Sequence, residues 1–378
     1  MSGTILVAPD KFKGTLTAAE AAARIADGLA GLGLPVVPLP VADGGDGTVD
    51  AVVAAGFARR TATVTGPAGA PVHASYAVRG TTAVIELAEA SGLRRLPGGR
   101  PSPLTATTRG TGELIDAALR GGATRIVLGL GGSATTDGGT GLAAALGARF
   151  RDAAGHPLPP GGAALRDLAA LDLAGVAARL RGAEIVVATD VDNPLLGPDG
   201  AAAVFGPQKG ATPGDVAVLE AGLARLAVLA PDPSVADRPG AGAAGGTGFA
   251  ALAFLGATIR PGIDYLLDLL GFADRLADAA VVITGEGSLD HQSLRGKAPY
   301  GVARAAARAG VPVVVLAGRS ELSEAEARQA GFAAVHTLTS LVPAGAGDPL
   351  AWIVANGPGQ MLRALAASIA RDLPGGPW

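Results

Sequence analysis

The sequence predicts a two-domain α/β protein. A Rossmann-like parallel sheet domain is formed by both chain ends, residues 1–60 and 275–378, and a second mixed α/β domain spans 61–274, with the active site expected in the cleft between them. Three observations carry this. The length, 378 residues, suggests about two domains, each large enough to bury its own core. A strand, loop, helix rhythm opens the chain and returns at Ala280. From about Thr61 it gives way to alternating β-branched and polar residues, which suit antiparallel strands.

Gly3–Ala8 is a short apolar run, read as a strand, that ends in Pro9-Asp10-Lys11-Phe12-Lys13-Gly14. Thr17 and Glu20 form a capping-box pattern ahead of a helix over Ala18–Leu32, each side chain able to satisfy an amide left open at the helix start. Pro35–Val41 is the next strand, and it delivers Asp43-Gly44-Gly45-Asp46-Gly47-Thr48 before a helix reaching about Ala55. Two carboxylates and two lysines thus fall at one edge of a parallel sheet, where open α/β sheets bind ligands. Strands follow at Thr61–Val64, Val72–Val78 and Thr82–Leu87, then a Pro97–Pro103 loop, a helix over Thr111–Arg120 and the strand Arg125–Leu128. After Gly138 the run TGLAAALGARF reads as helix and Asp152–Leu171 as loop. Glu184–Thr189 is a buried strand ending at Asp190-Val191-Asp192-Asn193-Pro194-Leu195, followed by helix Pro213–Leu229, a proline-rich stretch Ala230–Pro239 and helix Phe249–Leu255. Ala280–Thr284 is a strand ending in Gly285-Glu286-Gly287-Ser288-Leu289-Asp290. Helix Ala298–Ala309, strand Val311–Ala317, helix Glu324–Ala330, a short strand around Val335 and helix Pro358–Asp372 complete the reading.

Composition narrows the function classes. The chain has no cysteine, so disulfides, thiolate nucleophiles and Cys-ligated zinc are excluded. Its net charge of −3 comes from well-mixed charges with no basic stripe, and nucleic acid is not an expected partner. The start MSGTILVAPDKFK lacks an apolar segment behind a basic one, and the longest uncharged stretch, Pro239–Ile259, holds six glycines. A cytoplasmic protein without a membrane partner is expected. Only four of 30 basic residues are lysine, at positions 11, 13, 209 and 297, and each lies within three residues of a glycine. Solvated surface lysines would scatter over helices instead.

Gly129–Gly141 reads GLGGSATTDGGTG, six glycines interleaved with one serine, three threonines and Asp137. Glycine lets backbone N–H groups turn toward a bound anion, and the hydroxyls add donors, so the loop suits phosphate or carboxylate oxygens; a plain tight turn is the alternative. The spacing G-x-G-x-x-G/A at Gly129 and Gly240 carries little weight, because 58 glycines in 378 positions produce about one such match by chance. Walker A is absent, since Gly296-Lys297 is followed by Ala298. What recurs is a strand ending in a glycine-flanked carboxylate: Asp43/Asp46, Asp137, Asp190/Asp192 and Glu286/Asp290. With lysines beside them, these suit a site for Mg²⁺ and polyphosphate, and phosphoryl transfer is the reaction class. The four histidines, at 73, 156, 291 and 336, have no metal-ligand spacing.

These residues resemble the type I glycerate kinase family of bacteria. The matching segments run in order through almost the whole chain: APDKFKGTLTA at Ala8–Ala18, VADGGDGT at Val41–Thr48, ELAEASGL at Glu86–Leu93, TRGTGELI at Thr108–Ile115 and LGLGGSATTDGGTG at Leu128–Gly141. They continue with DVDNPLLGPDGAA at Asp190–Ala202, FGPQKGA at Phe205–Ala211, PGAGAAGGTGFAALAFLGA at Pro239–Ala257, GEGSLDHQSLRGKAPYGVA at Gly285–Ala303 and VPVVVLAG at Val311–Gly318. Lys11 stands where the family more often has Ser, and Ser288 where Arg is common. The resemblance implies two α/β domains facing a cleft, ATP with Mg²⁺, D-glycerate as acceptor and 2-phosphoglycerate as the more usual product.

On that reading a glycerate acceptor needs a cation for its carboxylate and a carboxylate for its hydroxyl, while a nucleotide needs an anion cradle and a metal. Gly131, Gly132, Ser133, Thr135 and Thr136, with Gly285, Glu286 and Gly287, are expected at the nucleotide phosphates. Asp190 is expected at the hydroxyl, Lys13 and Lys297 at charge developing on the phosphoryl group, and Asp10, Asn193, Asp290 and Gln292 beside the substrate. Asp43, Asp46 or Asp137 is expected to hold magnesium. Lys11 is expected to point away by alternation with Lys13, and Asp190 could instead cap the turn at Asn193-Pro194. A nucleotide-dependent oxidoreductase would need a fingerprint with an acidic ribose partner, which Asp152 in DAAGHP fits poorly, and a sugar-acid binding protein would need no metal carboxylates.

Overall fold

A computed structural model of the chain describes residues 3–373. They divide into two compact units, one of residues up to 43, 50–56 and from 262 onward, the other of residues 44–49 and 57–261. Positions 60 and 274 fall inside the strand Ala58–Thr65 and the helix Phe272–Leu276, and the divisions lie earlier, at 56/57 and 261/262.

The first unit is a five-stranded parallel sheet ordered Ala334–Thr337, Val313–Ser320, Ala279–Leu289, Thr4–Val7, Val36–Pro38. Both chain ends supply it, with Ile5 paired to Val281 on one side and Val36 on the other. Numbered by appearance in this unit, the strands run 2-1-3-4-5, so the order reverses between Thr4–Val7 and Ala279–Leu289. In doubly wound sheets that reversal opens a crevice at the carboxyl ends of the strands. Ile5, Val7, Val281, Ile283, Val314 and Leu316 share a core with helices Ala18–Leu29 and Pro358–Ile369. Their alternates Leu6, Val282 and Val315 are buried too, and helix Ala298–Arg308 lies along the same strands. Burying each such side chain stabilises the unit by about 1.5–3 kcal/mol. Helix Ala18–Leu29 starts at the Thr17–Glu20 capping box and stops three residues short of Leu32, where a 3₁₀ turn leads to left-handed Gly33. Gly28 brings this helix against Pro358–Ile369, since a Cβ there would overlap the Arg363 carbonyl.

The second unit holds a six-stranded mixed sheet. Thr258–Arg260, Glu184–Ala188, Arg125–Gly129 and Thr82–Glu86 are parallel, and Pro71–Arg79 and Ala58–Thr65 add on antiparallel. The sequence shows the division: Ile126, Val127 and Leu128 form a continuous apolar run buried on both faces, whereas strand Ala58–Thr65 is mostly exposed, with Val64 its buried residue. After Gly138 the helix covers only Thr140–Ala145, shorter than expected. Gly147 turns the chain against Gly175, and Arg149–Arg151 becomes a strand paired with Ala170–Asp172, inside and beside the stretch expected as loop. The helix Ala243–Leu255 opens with three left-handed residues, Ala244, Gly245 and Gly246, so regular helix begins near the expected Phe249. Ala244, at φ 52°, carries a Cβ in a region that costs L-residues about 1–2 kcal/mol.

Candidate active site

The carboxyl ends of the first unit's strands gather a carboxylate and lysine cluster. Asp10 follows strand Thr4–Val7, its N–H donating to the Gly285 carbonyl at 2.8 Å, so it sits beside the neighbouring strand at the order reversal. Glu286 lies on that neighbour, and Asp43 follows Val36–Pro38. Asp10 and Glu286 are both buried, and burial pushes each carboxyl up to about 7. Lys11 works against the shift of Asp10, and the Ser293 hydroxyl and Lys297 against that of Glu286, while the Asp43 charge raises both. Glu286 Oε1 is buried and has no hydrogen-bond partner among the described residues. Lys297 closes the cluster, its Nζ 4.0 Å from Glu286 Oε2 and 3.5 Å from Asp290 Oδ1. Asp290 also accepts the Ser293 N–H at 3.0 Å; burial alone would raise its carboxyl, but that bond and Lys297 hold it below the usual range. Gln292 is exposed at the start of the short turn Ser293–Arg295.

Two expectations for this unit change. Strand Ala279–Leu289 does not stop at Thr284 but runs on, because Ser288 and Leu289 continue to pair with Arg319 and Ser320. Gly285 and Gly287 therefore sit in the sheet, Gly285 against the Leu316 carbonyl and Gly287 against the Phe12–Lys13 backbone. Lys11 does not point away. Its N–H donates to Asp10 Oδ1 at 2.7 Å and its Nζ lies 4.0 Å from the same oxygen, while Lys13 is the exposed residue. Alternation fails because the chain folds into a turn at Phe12, whose carbonyl accepts the Thr15 N–H.

In the second unit the carboxyl ends of the parallel strands carry Glu86, the Gly131–Thr136 loop and Asp190. The loop is built by glycine contact: a Cβ on Gly131 would overlap Gly45, and Gly132 takes φ 75°. Ser133, Thr135 and Thr136 are buried, and the Oγ1 atoms of both threonines lack partners among the described residues. Asp137 is fully buried and accepts from Thr108 N at 2.8 Å, Thr108 Oγ1 at 2.9 Å, Gly139 N at 3.1 Å and Gly141 N at 3.3 Å. Burial raises its carboxyl, and these four donors oppose the rise. The expectation that it could bind a metal meets a carboxylate already committed to tying two loops together. Asp46 is engaged by Arg94 at 2.8 Å. Asp190 is exposed at the end of strand Glu184–Ala188, and Asn193 clips its own loop, its Nδ2 donating to Asp199 O at 2.9 Å and its carbonyl accepting the Gly242 N–H.

Glu86 was not singled out by sequence reasoning, and Lys209 was marked there only as one of four scarce lysines, with no role assigned. Glu86, 1% exposed, accepts from Gly47 N at 3.0 Å and Val49 N at 3.2 Å and pairs with Arg94, which also binds Asp46 and Glu89. Burial pushes Glu86 up to about 8, with Arg94 opposing. Lys209 is 2% exposed, and its Nζ donates to the Thr135 carbonyl at 2.6 Å. Burial pushes this ammonium down to about 7, against the pull of Asp137. Its scarcity and its glycine neighbour were the available signal.

A doubly wound sheet bearing lysines among buried carboxylates, and a second parallel edge bearing a glycine-hydroxyl loop, define a phosphotransferase of the α/β class. The family model described as the Glycerate kinase family matches residues 5–373. The chain is 48% identical to the glycerate kinase of Bacillus subtilis, covering 90% of each protein, and 45% identical to the glycerate 2-kinase of Escherichia coli, covering 89% of this chain and 91% of the relative. A crystal structure from Salmonella typhimurium LT2, described as a candidate glycerate kinase 2, superposes with a TM-score of 0.84 at 42% identity over 98% of both chains. The chain belongs to the glycerate kinase family.

Proposed function

We propose that the chain transfers the terminal phosphoryl group of ATP, as its magnesium complex, to the 2-hydroxyl of D-glycerate, giving 2-phosphoglycerate and ADP. The observation that carries this reading is the grouping of Asp10, Asp43, Glu286 and Lys297 at the order reversal of the first sheet, with Glu286 Oε1 buried and without a hydrogen-bond partner among the described residues. In phosphoryl transfer the protein mainly positions groups and stabilises charge, and Lys13 and Lys297 supply the cations for that purpose. Gly131–Thr136 takes nucleotide phosphates through backbone amides and hydroxyls. Asp190 orients the acceptor hydroxyl, and Asp10, Asp290, Gln292 and Asn193 border the substrate. The enzyme acts in the cytoplasm, a reading supported by the cysteine-free composition. Among the described residues no helix is long and apolar enough to cross a membrane.

We place magnesium at Glu286, with Asp43 beside it, ahead of Asp46 and Asp137, because Glu286 Oε1 has no hydrogen-bond partner among the described residues while Asp46 pairs with Arg94 and Asp137 accepts four hydrogen bonds. Magnesium commonly takes one or two carboxylates plus phosphate oxygens, so these two side chains would suffice once the nucleotide is bound. Bound there, magnesium would neutralise phosphate charge. An ADP-release assay with D-glycerate and MgATP tests the activity, and phosphorus NMR of the product tests the position. Turnover yielding the 2-isomer is expected; mainly 3-phosphoglycerate would overturn the regiochemistry, and no glycerate-dependent ADP release would overturn the activity.

A further inference from the structure

Lys209 ends a single 3₁₀ turn, Pro207–Lys209, closed by left-handed Gly210 against Pro101. A buried ammonium is costly unless paired and hydrogen-bonded, yet its hydrogen bond runs to a backbone carbonyl, Thr135 O, at 2.6 Å. The peptide unit is planar and trans, so holding the Thr135 C=O toward Lys209 directs the N–H of Thr136 the opposite way. The same peptides are wedged by backbone. A Cβ on Gly245 would overlap the Thr135 carbonyl, and one on Gly162 the Thr136 carbonyl. Gly245 belongs to the left-handed run beginning at strained Ala244, and its carbonyl accepts the Gly138 N–H at 3.0 Å. Strain of this kind persists only where its surroundings over-determine it, and here the surroundings are the loop.

We propose that Lys209 is a positioning residue of this enzyme: an N–H of its Nζ, which both protonation states offer, pins the Thr135 carbonyl and so fixes the Thr135–Thr136 peptide in the orientation that presents its N–H to the nucleotide phosphates. At 2% exposure it acts through the loop it holds. The inference rests on reading Gly131–Thr136 as the phosphate loop.

The test compares Lys209→Met, Lys209→Gln and Gly132→Ala in the full chain, measuring kcat and separate KM values for ATP and D-glycerate. Outer partners that orient a binding group typically contribute 10–100-fold, so Lys209→Met should raise the ATP KM by about that factor with the glycerate KM changed less than about twofold. Lys209→Gln, which keeps an N–H donor, should recover part of the loss. If Gly132→Ala raises the ATP KM while Lys209→Met leaves it unchanged, the Lys209 role is overturned and the loop reading stands. If neither moves it, the loop reading fails, and the Lys209 role with it. Should Lys209→Met not fold, hydrogen exchange on wild type and Lys209→Gln decides. A non-hydrolysable ATP analogue should slow the amides of residues 133–137 in wild type and slow them less in the variant, and equal protection overturns the role.

Discussion

Lys297 Nζ stands 3.5 Å from Asp290 Oδ1. The lysine occupies the N-cap position of helix Ala298–Arg308, where an ammonium has no acceptor to offer the helix amides, and its Nζ reaches the carboxylates of Asp290 and Glu286. Truncating it removes charge from the cluster and leaves no buried hole. Lys297→Ala is expected to lower kcat by about 10²–10³, near 3–4 kcal/mol, as for loss of one charge-stabilising contact. The melting temperature should move by less than about 3 °C. A kcat within threefold of wild type would remove Lys297 from the site.

Lys13 and Lys11 separate two kinds of lysine. Exposed Lys13 should behave as a phosphoryl contact, so Lys13→Ala should cost about 10²–10³ in kcat, and Lys13→Arg should also be poor, because a planar fork does not reproduce a compact ammonium. Near-normal kcat in both variants would make Lys13 a solvated surface group. Lys11 sits against Asp10 and opposes the rise of its carboxyl, so Lys11→Ala should cost more than about tenfold in kcat, where a lysine pointing away would cost less. Steady-state kinetics on the three variants settles each point.

Asp137 distinguishes a structural carboxylate from a metal ligand. Asp137 closes the Gly131–Thr136 loop, and Asp137→Ala would leave the amides of Thr108, Gly139 and Gly141 without their acceptor. Removing one partner of a buried charged network costs about 3–5 kcal/mol. A clear fall in urea midpoint is expected, with the magnesium dependence of any remaining activity unchanged. A variant of wild-type stability whose magnesium requirement rises would restore the metal role.

Much of this was legible because chemistry sat at strand ends. Apolar runs marked Thr4–Val7, Arg125–Gly129 and Glu184–Ala188, and the polar residues after them, Asp10, Ser133 and Asp190, fell at sheet edges where ligands bind. Pairings between distant segments were not legible. Glu86 meets the Gly47 amide 39 residues away, and Lys209 meets Thr135 at a separation of 74. Nothing local distinguishes a glutamate that collects amides in the interior from one in a helix-start motif. Strand Ala279–Leu289 was cut short for a similar reason: glycines usually interrupt strands, but here a neighbouring backbone packs where their side chains would be.

The loop's close packing makes a mutational prediction of its own. Gly131→Ala would drive a methyl into Gly45, backbone against backbone, so the two loops must part. Overpacking of this kind costs about 1–3 kcal/mol. The variant should melt lower by several degrees and show a raised ATP KM. Unchanged stability and ATP KM together would mean that the loops do not share this contact in solution.

Lys209 also sets a pH dependence of stability. Its folded pKa is depressed from 10.5 to about 7 by burial, with Asp137 pulling the other way as the charged neighbour and the Thr135 carbonyl as the hydrogen-bond partner. Below about pH 7 the lysine is protonated in both folded and unfolded chains, and its burial penalty is constant. Between about 7 and 10.5 the unfolded chain holds a proton that the folded one has released, so stability rises with pH across that window. Lys209→Met cannot titrate there. Other groups contribute to each curve, so the quantity to compare is the difference in melting temperature between wild type and Lys209→Met. Scanning calorimetry should show it shifting in favour of wild type by at least about 3 °C from pH 7 to pH 9.5, and staying flat from pH 6 to 7. Parallel curves across the whole range would mean that the ammonium keeps its proton in the folded enzyme.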